Sequence, residues 1–508
     1  MHSLQSRIAI KTMLTLPNAI EFEPQDALPT PRVATLAARA AQTTTTLGWH
    51  LAPLGLLRNR ARRPGAVATA LRQSFEELGA TYVKFGQLLA SSPGLFGEEF
   101  SAEFRAFLDT GPPVPYSAVR RTVERDLGGS LDLMFTGFET TPFAAASLAV
   151  VHKARLKDGR VVAVKVLRPG IEQTLSADLG LMRWPLETLA SQFGSERAAL
   201  LADLLRSLRD QIGEEIDLRN ELQWMQRFRR LLAEADIREL TVPEPHPELS
   251  GRRVLTMEFL GGIAVDDLRS VAARGVDPAP LLKALIRGWF SLALRFGASH
   301  GDVHAGNLLL CPDGRLALLD WGIVARLDDR TRDFLRQLVV GALGDDTAWE
   351  RIRDHYVDVY GSSLACGGLD GPEATAVIRS QLEPLFTQPF GNVDLAKSLL
   401  DSPEVIRSSN APATPVWEGL RRRWERRKRR QKWNRGGAGS SFDRGTTLLG
   451  KQIVYFERYG KLFLPDVPLI HDPPFFAQLL RDTPKGRGER DEPRKLPMSR
   501  RNESDSHC

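Results

Sequence analysis

The sequence predicts an α+β chain of two lobes, one small and β-containing, the other mostly helical, preceded by a helical extension. Three observations carry this. At 508 residues the chain is longer than one ordinary domain. The stretch AAASLAVVHKARLKDGRVVAVKVLRP, residues 144–169, reads as strand, Asp158-Gly159 hairpin turn, strand and proline stop. Most of the remainder has apolar residues at helical spacing, interrupted by GDVHAGNLLLCPDGRLALLDWG, residues 301–322, which reads as loop, strand, Pro-Asp-Gly turn and strand.

Taken in order, residues 1–30 carry few periodic signals and read as a loosely ordered lead. Residues 31–112 form the helical extension, broken by the basic, proline-containing run RNRARRPG at 58–65. Within 66–93, Leu71, Phe75, Leu78, Tyr82, Phe85, Leu88 and Leu89 recur at helical spacing up to the Pro93-Gly94 stop. A shorter helix over 98–108 leads to the Gly-Pro-Pro turn at 111–113. Residues 113–260 are expected to form the β-containing lobe with a helical insert; it closes with the strand-like RRVLTMEFL before Gly261-Gly262. The helical lobe then spans 261–405, a basic linker or amphipathic segment 406–440, and a further helical segment 441–481. The charged, aromatic-free tail 482–508 lacks what a core needs and is expected to be disordered.

Composition narrows the class. Hydrophobic residues at 42% and charged residues at 26% suit a soluble protein with a real core. The three cysteines (Cys311, Cys366 and Cys508) are far apart and form no CxxC pair, which argues against a disulfide scaffold or a cysteine-rich zinc site and fits a reducing cytoplasm. The first residues show no apolar signal core, and no window reaches the ~18 apolar residues that span a bilayer. The expectation is a cytoplasmic protein, soluble or peripheral at the inner face of a membrane. The net charge of +6 is uneven, so it points to a local anionic partner.

The strongest chemical signal is His300-Gly301-Asp302-Val303-His304-Ala305-Gly306-Asn307, followed by Leu318-Leu319-Asp320-Trp321-Gly322. Phosphoryl transfer needs a carboxylate that orients the acceptor and metal ligands that hold the phosphates. Asp302 can take or orient the acceptor proton, Asn307 offers Mg²⁺ a neutral oxygen, and Asp320 offers a charged one. Asp, Asn and Gly are common turn residues, and any one alone would be read so. Asp-x₄-Asn followed by Asp-x-Gly after a hairpin is the spacing of protein kinases. Mg²⁺ takes few carboxylates plus phosphate oxygens, which suits so sparse a set.

Val162-Ala163-Val164-Lys165 adds a strand lysine able to reach the α- and β-phosphates if a helix glutamate holds it. Its expected partner is Glu221, in Glu214-Glu215-Ile216-Asp217-Leu218-Arg219-Asn220-Glu221, read as one helix presenting Glu221 a face away from Glu215 and Asp217. An ordinary charged helix face is the competing reading. His152, His300 and His304 are read as hydrogen-bonded scaffolding.

These motifs resemble the UbiB/AarF family of atypical kinase-like proteins, whose mitochondrial members support coenzyme Q synthesis. The resemblance covers about residues 70–335, with a weaker echo at 443–470. Lys84-Phe85-Gly86-Gln87 looks like the family's KxGQ signature, which implies a helix over the active site that blocks protein substrates. Ala144-Ala145-Ala146-Ser147 looks like the alanine-rich loop that replaces a glycine-rich one; alanine restricts φ where glycine does not. Glu215 and Asp217 look like the ExD pair, and Val166-Leu167-Arg168-Pro169-Gly170 matches the strand exit. The departures are Val150-Val151 before His152, where the family has Gln, Trp321 within Asp-x-Gly, and the HGD-VHAGN run.

The resemblance implies a bilobal kinase-like fold with ATP and Mg²⁺ as cofactors. Expected catalytic residues are Asp302, Lys165 and Glu221. Expected nucleotide-binding residues are Ala144, Ala145, Ala146, Ser147, Lys165, Lys84, Gln87, Glu215, Asp217 and, in RRVLTMEFL, Glu258. Asn307 and Asp320 are the expected metal ligands. The implied activity is ATP hydrolysis or phosphoryl transfer coupled to isoprenoid-quinone chemistry. Two alternatives stand beside it. One is a small-molecule kinase of the aminoglycoside or choline type, which shares HGDxxxxN and DWG; the other is a pseudokinase scaffold. Lys84 to Gln87, the alanine loop and VAVK with RPG weigh against the first, and the filled metal and lysine positions against the second.

The positive charge is concentrated between Arg421 and Arg435, with ten Lys/Arg and one Glu, and Trp417, Leu420 and Trp424 fall on one face at helical spacing. Such a segment suits an anionic membrane, a nucleic acid or a solvated linker. The resemblance favours an anionic membrane surface or isoprenoid lipid as partner over nucleic acid.

Overall fold

Alternation along one strand sets up the small sheet. In β4 (Val161–Leu167), Val162, Val164 and Val166 share one face and Lys165 takes the other, because strand side chains alternate with period two. The valine face packs on Val150 and Ala154 of β3 (Ala149–Arg155) and on Val119 and Val123 of α1 (Tyr116–Leu127). β3 and β4 pair antiparallel through the turn at Asp158-Gly159, where Gly159 takes φ 89°, as the sequence reading expects. β6 (Val254–Glu258) pairs antiparallel with the other edge of β4, placing Leu255 opposite Lys165. β1 (Gly137–Phe138) and β2 (Ala144–Ala145) both pair with β3, giving five antiparallel strands.

The structure, a computed structural model, describes residues 28–56, 64–90, 103–104, 113–193, 205, 208–360, 372–393 and 444–483. The described residues fall in two compact units. The first lies within Met1–Arg227, Pro243–Leu260 and Asp320–Ile323, and the second within Phe228–Val242, Gly261–Leu319 and Val324–Cys508. The basic run 421–435, the tail from 484, the lead up to 27 and most of 98–108 lie outside the described residues.

Besides the sheet, the first unit holds the predicted helices of the extension, Val33–Leu56, Pro64–Leu78 and Ala80–Ala90. Phe75, Leu78, Tyr82, Val83 and Leu89 form a core with Ala68 and Phe104. The helical stretch expected over 66–93 is two helices as far as it is described, to residue 90. Gly79 takes φ 90°, a left-handed conformation that ends the first helix, and its amide donates to Phe75 O at 3.0 Å. Helix Ile171–Phe193 packs on Val33–Leu56, and Arg39 and Thr81 both donate to the buried Asp178 carboxylate. A second expectation is also corrected. Residues 214–221 are not one helix, because the helix of 208–215 stops at Ile216. A new helix, Leu218–Glu234, starts where the Asp217 carboxylate accepts from Arg219 N at 3.1 Å.

In the second unit, β5 (Leu240–Thr241), β10 (Leu316–Leu318), β9 (Leu308–Leu310) and β7 (Ile263–Ala264) form one sheet in that order. β8 (Ala298–His300) and β11 (Val324–Arg326) form a two-stranded ribbon. Helix Ala279–Phe296 is buried along most of its length. Helices Arg444–Phe463 and Pro473–Asp482 pack on it through Trp289–Phe456 (5.6 Å) and Phe290–Phe476 (5.3 Å) ring pairs. Burying each such aromatic is worth about 1.5–3 kcal/mol. Helix Pro372–Thr387 falls in a stretch where the sequence shows little periodicity.

Candidate active site

The first unit brings Lys165, Glu221 and Asp320 together. Lys165 Nζ donates to both Glu221 oxygens, at 3.0 and 2.9 Å, and to Asp320 Oδ1 at 3.2 Å. The strand supplies the lysine on the face opposite the valines, and the first turn of Leu218–Glu234 supplies the glutamate, where the helix dipole favours a negative charge. Asp320 has φ 50°, a left-handed conformation uncommon outside glycine. The turn it makes lets Trp321 N donate to Glu221 Oε1 and Gly322 N donate to Asp320 Oδ1, both at 3.2 Å. A Cβ on Gly322 would stand 3.2 Å from Asp320 Oδ1, a tight contact that would press on the carboxylate, and 3.7 Å from Glu215 Cγ, an ordinary one.

The charges of this cluster are interdependent. Burial disfavours the Lys165 ammonium, but Asp320 and Glu221 outweigh it, and its pKa lies above the ordinary value. Burial pushes Glu221 up to about 7, against the pull of Lys165. For Asp320 burial acts upward too, yet Lys165 and the Gly322 amide hold the carboxyl well below its usual range. An ionised lysine and an ionised Asp320 are what phosphate and metal binding require.

Lys84 Nζ pairs with Glu215 Oε2 at 2.7 Å, with both side chains largely buried, and Gln211 Nε2 donates to Glu215 Oε1 at 2.9 Å. Gln87 stands three residues on from Lys84, on the same side of helix Ala80–Ala90. Asp217 is bonded instead to Arg219, backbone and guanidinium. Glu258 Oε2 accepts from Glu244 N at 3.2 Å, at the end of β6. Ala144 and Ala145 are exposed in β2, Ala146 N donates to Ala149 O at 2.8 Å, and Ser147 is buried. Sequence reasoning gave Arg168 no role beyond the strand exit; its guanidinium donates twice to Ala146 O, at 3.0 and 2.8 Å, and clamps the alanine loop shut. A lone arginine directly after a buried strand and before Pro-Gly was the available signal.

The second unit assembles Asp302 and Asn307. Asn307 Nδ2 donates to Asp302 O at 3.0 Å, which leaves its amide oxygen as the end suited to a cation. All three histidines serve as scaffolding. His300 Nδ1 accepts from Asp302 N at 3.0 Å, so its Nε2 donates to Leu319 O at 2.8 Å. His304 Nδ1 accepts from Gly306 N. In the first unit, His152 Nδ1 donates to Glu139 O at 2.8 Å. Helix Arg444–Phe463 adds what the sequence did not reveal: Lys451 Nζ lies 2.8 Å from Asp302 Oδ1. Gln452, fully buried, donates to Gly301 O at 2.6 Å and accepts from Val303 N at 3.1 Å. The Tyr459 hydroxyl donates to Val303 O at 2.8 Å. Burial pushes the Asp302 carboxyl up, but Lys451 with His304 and His300 holds it below the ordinary value.

Among the described residues no group of three or more His, Cys, Asp or Glu could hold a metal alone. The Asp320 carboxylate of the first unit and the Asn307 amide oxygen of the second are each the kind of oxygen donor that Mg²⁺ takes.

A strand lysine held by a helix glutamate beside Asp-x-Gly, with an Asp-x₄-Asn loop, defines a protein-kinase-like α+β protein. The family model for the ABC1 atypical kinase-like domain matches residues 106–352. An uncharacterised protein of Mycobacterium tuberculosis is 34% identical over 449 residues, 86% of this chain and 83% of that protein. An uncharacterised chloroplastic aarF domain-containing protein kinase of Arabidopsis thaliana is 32% identical over 415 residues, 79% of this chain and 73% of that one. A probable protein kinase UbiB of Vibrio atlanticus is 29% identical over 350 residues, 68% and 63% of the two chains. The chain belongs to the ABC1/AarF family of atypical kinase-like proteins.

Proposed function

We propose that this chain binds Mg²⁺–ATP and hydrolyses it or transfers its terminal phosphoryl group, in support of isoprenoid-quinone lipid chemistry. The observation that carries the reading is Lys165 held by Glu221 beside Asp320. Lys165 binds the α- and β-phosphates and Glu221 fixes its ammonium. Asp302 orients the acceptor hydroxyl or water. Asn307 and Asp320 would hold the Mg²⁺, which when bound neutralises phosphate oxygens. Lys84 is tied to Glu215 within the first unit, which also holds Lys165, Glu221 and Asp320.

The test is ATP turnover by the purified full chain, with and without anionic liposomes. Slow basal turnover that rises with liposomes is expected, and Asp320→Asn should lose roughly 100-fold or more. Lys84→Ala should change nucleotide preference or permit self-phosphorylation. Turnover only with a hydroxylated small molecule would point to the aminoglycoside or choline type, and binding without turnover to a scaffold.

No helix among the described residues is long and apolar enough to cross a membrane. The basic run 421–435 supplies the proposed surface contact, at roughly 1 kcal/mol per basic residue near anionic headgroups. Neutralising residues 426–430 is expected to release the chain from anionic vesicles and leave liposome-free turnover intact. Unchanged vesicle binding would remove the membrane role.

A further inference from the structure

Asp302 is gripped from outside its own loop. Between Asp302 and Asn307 the residues are Val303, His304, Ala305 and Gly306, so the loop carries no lysine or arginine. Yet its acidic side chain faces an ammonium: Lys451 Nζ stands 2.8 Å from Asp302 Oδ1, with Asp302 largely buried and Lys451 about one-third exposed. The next residue, Gln452, closes hydrogen bonds on the backbone of both neighbours of Asp302, Gly301 O and Val303 N. Two turns on, the Tyr459 hydroxyl donates to Val303 O. One helix thus holds the loop backbone on both sides of Asp302 and supplies the counter-charge of its carboxylate. That helix lies beyond residues 106–352, the span of the kinase-like domain match.

We propose that Lys451 is the positioning residue of Asp302, a cation supplied by the helix Arg444–Phe463 that the 302–307 loop lacks, and that the site is incomplete without this helix. A carboxylate meant to orient an acceptor proton must be held within a few tenths of an ångström and a narrow range of angles. Charge-assisted contacts hold it more firmly than neutral ones. Lys451 acts on the acceptor side, through Asp302, and not on nucleotide capture. The inference rests on the phosphoryl-transfer reading above.

The experiment compares full-length wild type with Lys451→Met, Lys451→Arg, Asp302→Asn and the Lys451→Met/Asp302→Asn double variant. Lys461→Met, on the same helix but paired with Glu457, is the control. Lys451→Met is expected to lower kcat roughly tenfold or more with KM for ATP little changed. Lys451→Arg should recover most of it, and the double variant should be no worse than Asp302→Asn alone. A kcat for Lys451→Met within twofold of wild type overturns the proposal. So does a rise in KM at constant kcat, which would make Lys451 a nucleotide ligand. If the wild type shows no turnover, the phosphoryl-transfer reading fails by itself. The same variants are then compared by urea unfolding: non-additive shifts in midpoint keep Lys451 as the partner of Asp302, and additive shifts overturn it.

Discussion

At the scale of single residues, both units balance a functional charge with partners remote along the chain. Lys165 meets the carboxylates of Glu221 and Asp320, and Asp302 meets the ammonium of Lys451. His152 shows what burial without a counter-charge does. It is fully buried, donates from Nδ1 to Glu139 O and lies beside the Phe138 ring, 5.3 Å between centroids. Burial lowers its pKa below the ordinary 6.5, against a smaller upward pull from the Glu139 carbonyl. The unfolded chain therefore binds the proton more readily. The histidine's contribution is fully present above its unfolded value and is lost as pH falls through 6.5 towards the folded pKa, with a slope of up to about 1.4 kcal/mol per pH unit. His152→Phe should be less stable at pH 7, since Glu139 O loses its donor, by about 1–3 kcal/mol. It should also lose less stability than wild type between pH 7 and 5. Urea unfolding at pH 5, 6 and 7 measures both, and parallel pH slopes for the two proteins would refute the assignment.

At the scale of elements, legibility followed the range of the interactions. The β3–β4 hairpin could be read because alternation and Asp158-Gly159 are local signals, and the structure reproduces the turn. The bend inside 64–90 was missed because the apolar spacing continues across it; only the left-handed backbone of Gly79 reveals the corner. The break before Glu221 was missed for a related reason. Asp217 reads as one more charged helix residue until its carboxylate is seen accepting from the next helix's first turn. Gly79 yields a clean prediction, since a Cβ there meets nothing within 4 Å and only the backbone is tested. Substitution by alanine should cost about 1–2 kcal/mol, the penalty for an L-residue in the left-handed region. Asparagine, which tolerates that region, should cost less, and valine more. Thermal unfolding of the three variants gives the order. Equal losses would mean that the corner does not depend on that conformation.

At the scale of the whole molecule, the class of fold was legible in the sequence, but the exchange of short segments between the two units was not. The residues Asp320–Ile323 belong to the first unit although the strand before them and the strand after them belong to the second. No local periodicity marks such an exchange, and the partnership of Lys451 with Asp302 is equally remote along the chain. Ligand binding is measured on the full chain, which carries both units. A ligand that binds only the folded state stabilises it by RT ln(1 + [L]/Kd), about 2.7 kcal/mol at a hundredfold excess over Kd. Mg²⁺–ATP should therefore raise the unfolding temperature, and EDTA should abolish most of the gain, because Asn307 and Asp320 alone are too few to hold a metal and the phosphates too charged to sit without one. Asp320→Asn and Asn307→Ala, one from each unit, should each reduce the shift. If the Asn307 variant keeps the full Mg²⁺–ATP shift while the Asp320 variant loses it, the nucleotide engages the first unit alone and Asn307 is not a metal ligand.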